Sequence, residues 1–401
     1  MDLHEYLKKM KNIQKNILEF IERDSISIDD LNIYFNYLKQ KENLNYLKEV
    51  LHLISKITKN HQSTTRFYEK IEQILQIFKD EICENFTIQQ ILNYFIDNKR
   101  IILFLFNSGI ILPDQTIASI FSNSKYLERK YLHFFYPEIS TFLSPKMSDE
   151  IKKEIETNYN SEQFLKLREK GENDSYICQL IRDDLNDDFI SYVSHSNYQL
   201  TETIEPSIFE TNSLLIKNKP TLIEYSAFFG SIHIFKYLFL NKVELNPSLW
   251  LYAIHGGSSG IIHILEDCEM NIPDDYFQSY LIEAIKCHHN QLANYFETNL
   301  NRTQISIDSE KVVFRKSLQF FNYKFLPHEI GQFEELFDDL CKNDYFLLVD
   351  FFLKSKSIQI NLSHSLVEAV RKGNYEIAHL LLENPEIDIN YKYIFNQCFF
   401  I

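Results

Sequence analysis

Few residues in this chain have types and spacings that could do chemistry, and the densest group is the tract Cys287-His288-His289. A thiol and two imidazoles are the side chains that hold zinc, but a structural zinc site takes four ligands, usually from two paired clusters. No second pair follows in the sequence; His255 or His263 would have to approach from a neighbouring segment. The tract therefore reads as a turn, and no metal is expected. Gly256-Gly257-Ser258-Ser259-Gly260 invites a phosphate-loop reading, yet it lacks the Lys of G-x-x-x-x-G-K-[ST] and also reads as a turn. The pairs Asp183–Asp184 and Asp187–Asp188 offer carboxylates to a hard cation. Cation loops of that kind centre on a Gly and close on a Glu, a pattern missing here, so a solvated acidic helix and boundary loop is expected. Nucleophile elbow, H-E-x-x-H and dinucleotide fingerprint are absent from the sequence. No catalytic residue, metal ligand or cofactor is assigned, and the chain does not read as an enzyme.

Composition narrows the partners. Hydrophobic residues make up 45% of the chain, enough for a folded core rather than global disorder. Glycines number only 8 in 401 residues, against roughly 7% in an average protein, which disfavours strand-rich folds with many tight turns. The formal charge of −15 opposes phosphate backbones and anionic headgroups. The basic cluster Lys8, Lys9, Lys11 and Lys15 falls at helical spacing and reads as a solvated face. Neither nucleic acid nor a membrane is expected as a partner. Six cysteines without a C-x-x-C pair suit a reducing compartment. The N-terminus has no apolar run of signal type, and the longest apolar stretch, Ile101 to Leu112, is too short for a span. A soluble cytoplasmic protein is the expectation.

The elements that must position these residues are helical. Residues 1–170 read as successive amphipathic helices, with apolar stripes such as Leu31, Tyr34, Phe35, Leu38 and Ile71, Ile74, Leu75, Phe78. Ser27 or Asp29, and Thr87 ahead of the next apolar run, are candidate N-caps. Residues 171–401 carry a recurring four-point pattern: a small residue, a Gly-like position four later, then apolar residues at eight and twelve. Ser226–Gly230–Ile234–Leu238, Ala253–Gly257–Ile261–Leu265, Ala284–His288–Leu292–Phe296 and Ala369–Gly373–Ile377–Leu381 fit it. Asp339–Asn343–Leu347–Phe351 is a weaker copy, and Ile181–Leu185–Phe189–Val193 an early degenerate one. A period near 30 residues marks stacked repeats. Residues four apart share a helix face; a left-handed Gly or Asn ends the first helix and turns the chain into the second. Each pair then buries only one side and needs neighbours for the other.

This pattern resembles the ankyrin repeat, whose consensus opens T-P-L-H-x-A. The Thr is kept at Thr221, and the Leu slot stays apolar at Ile223, Trp250, Leu281, Leu336 and Leu366, while the Pro and His slots are lost. The stretch 217–266 is similar to the domain of unknown function in the expanded ankyrin families of trichomonad-type protists. The resemblance covers about 175–395 and fades over 300–330, since element edges drift by a few residues. It implies an all-α fold, a helical N-terminal region followed by an ankyrin-like solenoid, and a protein–protein interaction role without catalysis.

In such a solenoid the residues between the small slot and the Gly slot point into the concave groove. Candidate partner contacts are Phe228, Phe229, His255, Lys286, Cys287, Lys342, Arg371 and Lys372. Phe228 and Phe229 are either an exposed aromatic pair or covered by the helical half or an early repeat. Trp250, in the Leu slot, reads as core. The expected function is a non-catalytic scaffold that binds a protein partner through the groove and loop tips. The alternative is a two-part adaptor whose N-terminal helices recruit a ligase or signalling partner. Phe395, Cys398, Phe399, Phe400 and Ile401 supply no polar cap and are expected to fold back on the Ile377–Leu381 helix.

Overall fold

A computed structural model describes residues 2–23, 26–41, 44–61, 66–123, 128–268, 274–301, 307–355, 361–388 and 390–391. The fold is all-α: among these residues there are helices and short 3-10 turns, and extended pairing is confined to the isolated bridge Thr203–Thr221. Helix starts follow local hydrogen-bond chemistry. Thr87 caps Ile88–Phe95 with Gln90 closing the box, and Thr221 does the same for Leu222–Phe229 with Glu224. Ser27, rather than Asp29, caps Ile28–Lys41, its hydroxyl accepting from Asp30 N–H at 3.1 Å.

A second device ends the first helix of each unit in the second half. Among the described residues, seven positions take left-handed backbone at such an end: Asp184, Gly230, Gly257, His288, Phe321, Asp344 and Gly373. At six of them the N–H of the following residue reaches back to the carbonyl five residues earlier, as in Ser231 to Ser226, His289 to Ala284 and Asn374 to Ala369. That bond defines the Schellman closure, which satisfies carbonyls a helix end otherwise leaves orphaned. The four gap-free copies have their small residue and their Gly-like position where the pattern puts them. Two weaker copies are corrected. The left-handed residue is Asp344, not Asn343, so the buried face is Leu340, Leu348 and Phe352. Asp184, not Leu185, turns the earliest copy. Residues 307–325, where the pattern fades, contain a further unit whose helix Ile307–Phe320 closes on Phe321. In place of a long second helix it has the turn Tyr323–Phe325 and the short helix Ile330–Glu334.

The units stack in chain order. First helices pack on first helices from Tyr176–Arg182 through Leu222–Phe229, Leu249–Gly256, Asp274–Lys286, Ile307–Phe320 and Phe337–Lys342 to Leu362–Lys372. Gly256 permits one close approach, because a Cβ there would lie 2.5 Å from the Ala227 carbonyl oxygen. Trp250 is core, stacked on Tyr280 at 5.6 Å.

The N-terminal helices do not form a separate core. Met10, Ile13, Ile17, Leu53 and Ile54 share one buried cluster with Leu318, Phe321, Tyr345, Phe352 and Leu381 of the later units, while the earlier units build their own from Ile177 to Phe325. Packing also crosses residue 170: Phe209 lies 5.1 Å from Tyr159 and 5.5 Å from Phe164. The tail 392–401, expected to cap the last unit, lies outside the described residues.

Two buried side chains test the face assignment. Ile234→Ala and Leu381→Ala each remove a fully buried aliphatic and should cost about 2–5 kcal/mol in denaturant unfolding. Lys354→Ala loses an exposed i,i+4 pair with Asp350 and should stay within about 0.5 kcal/mol. Equal losses for core and surface would contradict the assignment.

Candidate functional site

The residues with chemical potential gather where the N-terminal helices meet the closing turns of the stack. Gln14, on helix Leu3–Glu22, sends its amide to Asn322 Oδ1 at 2.8 Å and to His288 Nδ1 at 3.0 Å. His52 stacks on Phe321, with centroids 4.8 Å apart and rings 8° from parallel, and bonds Asp344 at 3.1 Å. His61, directly after helix Leu44–Asn60, donates from Nδ1 to the Cys287 carbonyl at 2.8 Å. Thus three of the four non-glycine residues at these left-handed ends, His288, Phe321 and Asp344, each hold a side chain of the N-terminal half, while Asp184 bonds the next unit.

This arrangement decides the fate of the groove residues. Phe228, His255 and Cys287 are buried, which corrects the expectation that they face an outside partner. Phe228 packs between Phe229 and His255, at 5.0 and 6.0 Å. His255 bonds Glu283, and its carbonyl accepts from His289 Nε2 at 2.9 Å. Lys286 is paired with Glu283 at 2.7 Å. Phe229 is half-buried against Tyr225 and, with Phe228 and Gly256, forms one wall of a cavity of about 790 Å³. The opposite wall, from the N-terminal half, carries Tyr68 and Arg100. Lys342 is half-buried, and its carbonyl accepts from Asn374. Arg371 and Lys372 are exposed, Arg371 bonded to Glu368 of its own helix.

Burial sets the protonation of the central tract. It drives His288 down to about 3 and His289 to about 4, and pushes His61 well below the usual imidazole range. The same desolvation pushes the Cys287 thiol well above its ordinary value, which makes it a poor nucleophile at neutral pH. The imidazoles are therefore neutral, each with one nitrogen as donor and the other with a lone pair.

Sequence patterning pointed to Cys287, His288 and His289 but not to Gln14, Glu22, His52 or His61. Their partners lie hundreds of residues away, and periodicity within the N-terminal helices says nothing about what those helices dock against. Glu49 was missed for the same reason. It is fully buried at the seam, accepts from the Tyr6 hydroxyl and from Leu347 N–H at 3.4 Å, and lies 3.5 Å from the Tyr323 hydroxyl.

Comparison with protein-family models, curated proteins and solved structures finds no match for this chain. No helix among the described residues is long and apolar enough to cross a membrane.

Glu49 makes stability depend on pH. Burial raises its carboxyl to about 8, partly offset by the hydrogen bonds from Tyr6 and Leu347. A pKa higher in the folded than in the unfolded chain means that the folded state holds the proton more tightly. Its contribution is therefore complete below the unfolded value near 4.5 and is lost as pH rises towards about 8. Glu49→Gln keeps the neutral shape and should melt higher than the wild type at pH 8, with the gap closing by pH 5. Parallel Tm profiles across that window would show that Glu49 is not a buried neutral acid.

Proposed function

We propose that this protein is a non-catalytic protein-binding scaffold of ankyrin-like type, and that its partner docks on the last stacked unit rather than in the central groove. The observation that carries this reading is a face of that unit that stands exposed among the described residues. Tyr375 and Leu382 fall seven residues apart on helix Tyr375–Leu382, on one face, and are 78% and 52% exposed; Val370, on the preceding helix, is 55% exposed. Arg371 and Lys372 stand beside Val370 in sequence and add positive charge to a chain of net charge −15. Grouped exposed apolar side chains edged by charge are the usual composition of a docking surface. The middle units offer less, because the N-terminal helices cover their closing turns.

The adaptor alternative draws support from a second place. Ile33 and Tyr37, one helical turn apart on Ile28–Lys41, are both more than half exposed. In that reading they would recruit a ligase or signalling partner while the last unit holds its own client.

Affinity purification with the full chain, followed by identification of the co-purifying proteins, separates these readings. The double variant Tyr375→Ser/Leu382→Ser and the charge reversal Arg371→Glu/Lys372→Glu should each weaken capture of the same protein while leaving the circular-dichroism melt unchanged. Capture lost only in Ile33→Ser/Tyr37→Ser would move the site to the N-terminal helices. Capture unaffected by all three variants would refute both.

A further inference from the structure

Glu22, His61 and His289 are brought together from three distant places in the chain, and their ligating atoms all lie within 4.8 Å of one another. Glu22 is the last residue of helix Leu3–Glu22, with its side chain 34% exposed and one carboxylate oxygen 3.6 Å from His61 Nε2. The His61 side chain is fully buried, and its ring lies 4.7 Å from that of His289. Both rings are already oriented. The carbonyl of Cys287 can only accept, so His61 carries its proton on Nδ1, and Nε2 is left with a lone pair and no hydrogen-bond partner. By the same logic the His255 carbonyl fixes the proton of His289 on Nε2 and frees Nδ1. Backbone carbonyls that hold the far nitrogen of an imidazole are the usual outer support of metal-bound histidine. Gly257 completes the fit, because a Cβ there would come 2.8 Å from the His289 ring and push it out of place.

We propose that Glu22, His61 and His289 bind one divalent transition-metal ion of zinc type. Two imidazoles and a carboxylate suit zinc and its borderline neighbours rather than magnesium or calcium, which take oxygen donors. Tetrahedral zinc stands about 2 Å from each ligand atom, which sets those atoms about 3.3 Å apart. Glu22, at the exposed end of its helix, can turn its carboxylate towards such an ion, while the Cys287 and His255 carbonyls hold the two rings. Glu22 and His289 also line a cavity of about 640 Å³, so water from that side fills the remaining position. The bound ion would join the ends of two N-terminal helices to a closing turn of the stack. A second group, His255, Glu283 and Cys287, is also compact. There, however, the Glu283 carboxylate is already taken by His255 and Lys286.

The full chain, stripped of metal by chelation, is titrated with Co(II) as a visible probe and then with Zn(II). The expected result is one Co(II) per chain, with ligand-field absorption in the visible, displaced by Zn(II), and a rise in Tm on binding. Glu22→Gln should melt like the metal-free wild type yet bind at least about 10–100-fold more weakly. His289→Gln should lose the visible bands. The proposal is overturned if the wild type shows no saturable binding or if both variants bind as it does. An intense near-ultraviolet thiolate band would overturn it too, by placing the ion on Cys287.

Discussion

The joint that ends each first helix is the constraint on which the rest of this structure depends. A helix leaves its last carbonyls without partners, and inside a stack water cannot serve all of them. The left-handed residue satisfies part of the deficit within its own unit. The residue after it satisfies more across to the preceding unit. Ser231 donates to the Ile181 carbonyl, His289 to that of His255, Asn322 to Ile285, Tyr345 to Leu318 and Asn374 to Cys341. Three different polar side-chain types and a tyrosine thus do one job at one position. Each bond ties a unit to its predecessor where the chain reverses, and so sets how far the second helix can tilt away. In the earliest unit Asp184 extends the device: its carboxylate accepts from His233 and Ile234 N–H and caps the second helix of the next unit.

Left-handed backbone costs a non-glycine residue about 1–2 kcal/mol, so His288, Phe321 and Asp344 need compensation. The side chains that glycine would lack supply it. His288 receives Gln14, Phe321 stacks between His52 and Tyr345, and Asp344 bonds His52. Gly230 and Gly373, by contrast, have no side chain to offer the N-terminal half at the turn. At the His288, Phe321 and Asp344 turns the residue chosen therefore goes with cover by the N-terminal helices, whereas the Asp184 side chain serves the next unit. That cover also explains why residues 1–170 and the later units share a core although the chain pattern changes near residue 170.

Local chemistry was legible in the sequence, and long-range docking was not. Thr87 announces its helix because a hydroxyl three residues before a Gln has one strong use; Thr221, read only as the kept Thr of the repeat, uses Glu224 in the same way. Gly256-Gly257 reads as a turn for equally local reasons. The unit closed by Phe321 escaped because aromatic residues rarely take left-handed backbone, so nothing at the Gly slot flagged it. In the Asp344 unit Asn343 is as good a left-handed candidate as Asp344, and the pattern slipped by one residue. The apolar face decides the register, since Leu340, Leu348 and Phe352 are all buried. Phe228, His255 and Cys287 read as groove residues, with cover left open for Phe228, because the repeat pattern alone says nothing about what fills the groove.

The polar character of the seam has its own physical reason. A stack of similar units offers an apolar helix several near-equivalent registers, spaced by one unit, and burial alone distinguishes them poorly. Net stabilisation from buried polar pairs is small, since desolvation offsets most of the attraction. A wrong register, however, would leave Gln14, Glu49, His52 and His61 buried without partners, and each unmet group costs about 1–3 kcal/mol. Only one docking position meets His288, Asn322, Asp344 and the Cys287 carbonyl together. The units are alike in backbone but differ in the residue at and beside the left-handed turn. Those differences turn a repetitive surface into a single address for the N-terminal helices.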